Sequence, residues 1–129
     1  MELQFSIIVP VYNRPQEIEE LLHSCTLQTY QNDFEIIVVE DGSVEKCDEI
    51  IEKYKTQLNL KYFFKKNSGA GASRNFGMQR ANGNYFIILD SDVLLPTLYL
   101  EEVYKTLQLN YTDVFGGSDA AHESFTAIQ

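Results

Sequence analysis

Two carboxylates one residue apart, Asp90 and Asp92, close the apolar run Tyr85-Phe86-Ile87-Ile88-Leu89. The apolar part reads as a buried strand. Acids at its carboxyl end then face the crevice where open α/β sheets bind ligands. Adjacent carboxylates repel unless a cation lies between them. A hard divalent ion holding a diphosphate suits the pair, because such ions take oxygen ligands and bridge to phosphates. In an extended stretch, side chains two apart point the same way, so both acids could meet one ligand at different depths. The competing reading is a plain surface turn, for which Asp and Ser are common residues.

Three further polar clusters could do chemistry. Asp41 follows the run Phe34-Glu35-Ile36-Ile37-Val38-Val39-Glu40 and precedes Gly42 and Ser43. A carboxylate there can accept from a base N–H or a ribose hydroxyl. It could equally make only a turn, with Ser43 capping the next helix. Tyr12, after Pro10 and before Asn13, could stack on a base or complete the core. Arg74 could reach a base carbonyl or an anion, or merely face solvent. Gly69 and Gly71 give either backbone approach to a ligand or a flexible turn. His23 lies among acids on a predicted helix, as a surface residue would.

The elements that must position these residues alternate. Strands are expected at Phe5 to Pro10, Phe34 to Val39, Leu60 to Lys65 and Tyr85 to Leu89, with a fifth at Asp113 to Phe115. Helices are expected from about Gln16, after Ser43, from Ala70 to Ala81, and from Pro96 to Leu109. In the first helix Ile18, Leu21, Leu22 and Cys25 share one face. In the second, Cys47, Ile50, Ile51, Tyr54 and Leu58 do so. The strands lack polar alternation, as in a parallel sheet covered on both sides. The expected fold is therefore a three-layer α/β/α sandwich with a mostly parallel sheet. In the order 3-2-1-4, the ends of strands one, two and four gather at the switch point. That brings Pro10 to Asn13, Asp41, and Asp90 to Asp92 together.

The totals narrow the function. At 129 residues the chain makes a single domain, 1–129, large enough for a core. A net charge of -9 argues against nucleic-acid binding, which needs a basic surface, but leaves room for one nucleotide neutralised by a metal. The two cysteines, on apolar helix faces, are expected as buried free thiols, which suits a reducing compartment and a cytoplasmic location. No apolar run is long enough for a bilayer. Membrane association, at an inner membrane face for example, would have to come through segments outside this chain. No G-x-G-x-x-G follows the first strand, and no Walker A loop, zinc cluster or G-x-S-x-G elbow is present.

Taken together, Ile8-Val9-Pro10-Val11-Tyr12-Asn13, Val38-Val39-Glu40-Asp41-Gly42-Ser43, Asn67 to Asn75, and Leu89-Asp90-Ser91-Asp92 with Pro96 behind resemble the family 2 glycosyltransferases, enzymes of the GT-A fold. The resemblance implies an inverting transferase that moves a sugar from a nucleotide-diphosphate donor, usually a UDP-sugar, to a saccharide or lipid-linked acceptor in polysaccharide biosynthesis. By the same resemblance Pro10, Tyr12 and Asn13 border the nucleotide, Asp41 and Arg74 contact its base, and Asp90 sits near the ribose. Asp92 would ligate manganese or magnesium. Complete members are longer, and their second half supplies the acceptor wall and the catalytic base. Asp119 and Glu123 come too early in the family's order for that base, which is expected beyond Gln129. The chain is thus expected to be a truncated, donor-binding part that does not turn over alone. A non-catalytic nucleotide- or partner-binding module on the same scaffold is the alternative. A nucleotidyltransferase would want a glycine-rich basic loop after strand one, which is absent.

Overall fold

The computed structural model describes residues 4–109 and the strand Ala127–Ile128. The order of elements is β1 (Phe5–Val11), α1 (Pro15–Thr26), β2 (Phe34–Asp41), α2 (Asp48–Tyr54), β3 (Asn59–Lys65), α3 (Ala70–Gln79), β4 (Tyr85–Ile88), α4 (Tyr99–Leu109) and β5 (Ala127–Ile128). The sheet runs β3-β2-β1-β4-β5. Its first four strands are parallel, and β5 pairs antiparallel with β4. The strand expected at 113–115 lies outside the described residues.

β1 is central and is paired on both sides, so both of its faces must be apolar. Phe5, Ile7, Val9 and Val11 look toward one layer with Ile36, Val38, Tyr85, Ile87 and Leu89. Ile8 looks toward the other with Ile37, Val39 and Ile88. The first layer is thick. It contains Ile18, Leu21 and Leu22 of α1, Ile51 and Tyr54 of α2, and Leu100, Val103 and Leu107 of α4. On the second face Phe76 and Met78 of α3 pack with Phe63 and Phe86 of the sheet. The three layers are therefore unequal.

α3 lies close to the sheet because Ser73 and Gly77, four residues apart, form its buried side. A Cβ at Gly77 would sit 2.7 Å from Ile8 Cγ2 and 3.3 Å from Val39 Cγ2. That close approach sets the height at which Arg74 stands above the strand ends.

Two helix starts differ from expectation. Ser43 does not cap α2, which begins at Asp48 after Cys47. Ser43 instead receives the Asn13 backbone N–H at 2.8 Å. The Cys47 N–H is taken by the buried Glu40 carboxylate at 2.9 Å. The last helix begins at Tyr99, since Pro96 opens a turn in which its carbonyl accepts from the Tyr99 N–H at 2.9 Å.

The amino ends of the strands are closed by a polar staple. Glu35 accepts from Ser6 Oγ and the Asn82 N–H, both at 2.6 Å, and from Lys61 Nζ at 2.8 Å. Burial pushes the Glu35 carboxyl up, but the Lys61 ammonium and the two neutral donors pull it below the usual range. Gly77→Ala gains helix propensity but forces Ile8 aside. A net loss of about 1 kcal/mol or more is expected, and urea denaturation of the two proteins checks it.

Candidate functional site

At the carboxyl end of the sheet the chain leaves β1, β2 and β4 through polar residues. A cavity of about 300 Å³ opens there, lined by Pro10, Val11, Tyr12, Asp41, Asn67, Gly69 and Ala70. Its wall at β1 is formed by Pro10 and by Tyr12, whose side chain is exposed. Its floor is the end of β2, and its far wall is the 66–69 loop leading into α3.

Asp41 is buried yet heavily hydrogen-bonded. Oδ1 accepts from Lys65 Nζ and from the Ser68 N–H, each at 2.9 Å. Oδ2 accepts from the Gly69 N–H at 2.9 Å, with Asn67 Nδ2 only at 3.5 Å. Asn67 Nδ2 spends its better bond, 2.9 Å, on the Asp41 carbonyl. A carboxylate offers about four acceptor sites; three are filled at 2.9 Å, and the fourth, on Oδ2 beside the cavity, is held only by the long Asn67 contact and is open to a better donor. Burial pushes the Asp41 carboxyl up, but the Lys65 ammonium and the two backbone N–H groups more than offset this and hold it below the usual carboxylate range. It is therefore an acceptor at neutral pH.

The turn after β2 demands unusual backbone. Gly42 has φ +73°, and a Cβ there would meet Asn67 N at 2.6 Å. Asn13 also adopts a left-handed conformation, φ 53°, which asparagine tolerates better than most residues. Its Oδ1 accepts from the N–H groups of Val44 and Glu45 at 2.8 and 3.0 Å. Asn13 thus ties the end of β1 to the loop after β2. Its side-chain oxygen is spent on that backbone, while Tyr12 beside it stays exposed.

Arg74 and Asp90 face each other, with Arg74 Nη2 3.8 Å from Asp90 Oδ1. Both are partly exposed, so this surface pair contributes little stability and remains free to exchange partners. Asp92 is exposed and does not lie in an extended stretch. The Val93 N–H donates to the Asp90 carbonyl at 3.2 Å, so residues 90–93 form a turn. The expectation that Asp90 and Asp92 point the same way by strand alternation therefore fails. Ser91 Oγ donates to Glu17 Oε1 of α1 at 3.1 Å and fixes that turn.

Among the described residues no three His, Cys, Asp or Glu side chains converge as a metal cage. A lone carboxylate on an exposed turn fits an ion that keeps several waters and completes its shell with substrate phosphates. Asp92 meets that description.

The sequence motifs passed over Lys65, and they contained Glu40 and Asn67 without giving either a role. Glu40 is fully buried and accepts from Tyr62 Oη at 2.7 Å as well as from Cys47. Lys65 ends β3 in direct register with Asp41. Aligning the ends of neighbouring parallel strands would have placed a cation beside that acid.

Comparison with known proteins places this geometry in a family. The glycosyl transferase family 2 signature matches residues 6–127. The poly(ribitol-phosphate) beta-N-acetylglucosaminyltransferase TarS of Staphylococcus aureus is 36% identical over 115 residues, which cover 87% of this chain and 20% of TarS. An uncharacterised glycosyltransferase of Rickettsia conorii is 38% identical over 109 residues, 84% of this chain and 18% of that protein. The crystal structure of S. aureus TarS 1-349 in complex with UDP-GlcNAc superposes with a TM-score of 0.81 at 33% identity, covering 95% of this chain and 37% of that one. The mannosyltransferase PcManGT of Pyrobaculum calidifontis shares the fold, with a TM-score of 0.75 at 23% identity over 90% of this chain and 34% of its own. The chain spans a fifth or less of the length of TarS and of the Rickettsia relative. With its match to the family signature nearly end to end, and with the GT-A α/β fold of TarS, this chain belongs to glycosyl transferase family 2.

Proposed function

We propose that residues 1–129 form the donor-binding domain of an inverting glycosyltransferase. It takes a nucleotide-diphosphate sugar, UDP-linked by preference, and serves transfer to a saccharide or lipid-linked acceptor in polysaccharide biosynthesis. The observation that carries this reading is the cavity at the carboxyl ends of β1 and β2, with an exposed aromatic on one side and an open carboxylate acceptor on the other. S. aureus TarS, at 36% identity, supports the uridine nucleotide, since its structures include complexes with UDP and with UDP-GlcNAc.

In this reading the base enters beside Pro10 and Tyr12, and the Tyr12 ring supplies a stacking face. The open site on Asp41 Oδ2 accepts the base N–H. Arg74 donates to a base carbonyl, and Asp90 accepts from the ribose hydroxyls once the two exchange their mutual contact for the ligand. Asn13 sets the path of the chain between Tyr12 and α1 and so borders the nucleotide without spending its side chain on it. Asp92 holds manganese or magnesium. That ion supplies neutralisation of the charge that develops on the departing diphosphate. Both cysteines are buried free thiols. Burial pushes the Cys25 thiol up to about 12, so it stays protonated and inert. Inert thiols suit a cytoplasmic protein, and no helix among the described residues is long and apolar enough to cross a membrane.

Calorimetry of the chain with nucleoside diphosphates tests the reading. UDP is expected to bind, and to bind more tightly with manganese or magnesium present. Negligible heats for UDP, GDP and ADP alike, with metal, would sink the nucleotide assignment. The two acids of the turn separate under the same titration. Asp92→Asn is expected to abolish the gain from manganese and to leave metal-free binding unchanged. Asp90→Asn is expected to weaken binding with and without metal. A full metal effect in Asp92→Asn would move the ion to another ligand.

A further inference from the structure

The open acceptor on Asp41 depends on where the other donors sit, and one of them is a cation. Lys65 is 14% exposed and its ammonium reaches inward from the end of β3. It donates to Asp41 Oδ1, to the Lys66 carbonyl and to Ser68 Oγ. Three donors on one nitrogen saturate an ammonium, so Lys65 has none to offer a ligand. It holds Asp41 and the 66–69 loop together, and that loop delivers the Ser68 and Gly69 N–H groups to the same carboxylate.

We propose that Lys65 is the positioning residue for nucleobase recognition: it keeps Asp41 an acceptor-only carboxylate, turned so that one lone pair of Oδ2 faces the base. This rests on the donor-site reading above. Among the described residues Lys65 is the charged side chain that meets Asp41, and its other partners, Asn67, Ser68 and Gly69, are neutral. Glu40, its neighbour on β2, points to the opposite face toward Cys47 and Tyr62. Arg74 and Asp90 contact each other. Just after β1, Tyr12 shares the cavity as a phenol.

Without the ammonium, burial pushes the carboxyl toward its protonated form and only the Ser68 and Gly69 N–H groups oppose it. A protonated Asp41 carries an O–H that competes with the base N–H for the same place. Recognition would then fail as pH falls, whereas a merely structural loss would weaken binding equally at every pH.

The test is UDP affinity with manganese, by calorimetry from pH 5.5 to 8, for the intact chain and for Lys65→Met, Lys65→Gln and Lys65→Arg. The unchanged protein, run alongside, carries whatever the diphosphate's own titration contributes. Lys65→Met and Lys65→Gln are expected to lose about tenfold more affinity than the unchanged protein between pH 7.5 and 5.5. Lys65→Arg, which restores the charge, is expected to follow the unchanged protein. Parallel profiles for all four proteins would overturn the proposal while leaving the donor site standing. Absence of UDP binding by the unchanged protein at any pH would remove the donor site and this role with it. If the neutral variants do not fold, carbon NMR of the Asp41 carboxyl in the unchanged protein decides. Ionisation throughout this range is expected, and protonation within it would overturn the proposal.

Discussion

A buried carboxylate must be compensated, and at Asp41 the compensation organises the whole carboxyl edge of the sheet. Leaving such a charge unpaired costs several kcal/mol. Lys65 meets it from β3, and the backbone of Ser68 and Gly69 meets it from the loop. These bonds fix the end of β2 against the end of β3. They also set the starting point of α3 at Ala70 and leave Gly42 no space for a side chain. The wall of the cavity is in this sense a by-product of satisfying one acid.

The two ends of the sheet solve opposite problems with similar chemistry. At the amino end Glu35, Ser6, Lys61 and the 82–83 turn consume one another's hydrogen bonds, and Gly83 brings the turn close to Ser6. Acid and base there meet each other's needs, which leaves a staple. At the carboxyl end the same kind of ion pair leaves one acceptor only weakly held, and Tyr12, Arg74 and Asp90 around it are at least partly exposed. Uneven covering contributes as well. Among the described residues three helices press on one face, while on the other α3, drawn in by Ser73 and Gly77, carries Arg74.

Charge shapes what the cavity can accept. A chain with net charge -9 repels a free diphosphate, and Lys65, the cation beside the cavity's Asp41, is already spent on that acid. Arg74 shares its charge with Asp90. In the proposed donor site, a divalent ion on the exposed Asp92 turn would supply the missing positive charge and would belong to the ligand as much as to the protein.

The sequence by itself determined the alternation of strands and helices, the parallel order around β1 and the apolar faces of α1 and α2. Those features follow from local periodicity and from burial on both sides of a strand, and periodicity is written in the order of residues. It also determined that Tyr12, Asp41 and Asp90 fall at strand ends on one edge. Contacts between residues far apart in the chain were decided by the tertiary structure. Ser43 meets Asn13 instead of capping α2 because the left-handed turn at Asn13 brings the two loops together. The Asp90 to Val93 segment turns because the chain must bend down to bury Val93 and Leu95. Lys65 stands in the sequence only as the last residue of an expected strand; register pairing with a buried acid made it that acid's largely buried partner. A charge takes its role from its partners, and partners twenty-four residues away along the chain are brought together by the fold alone.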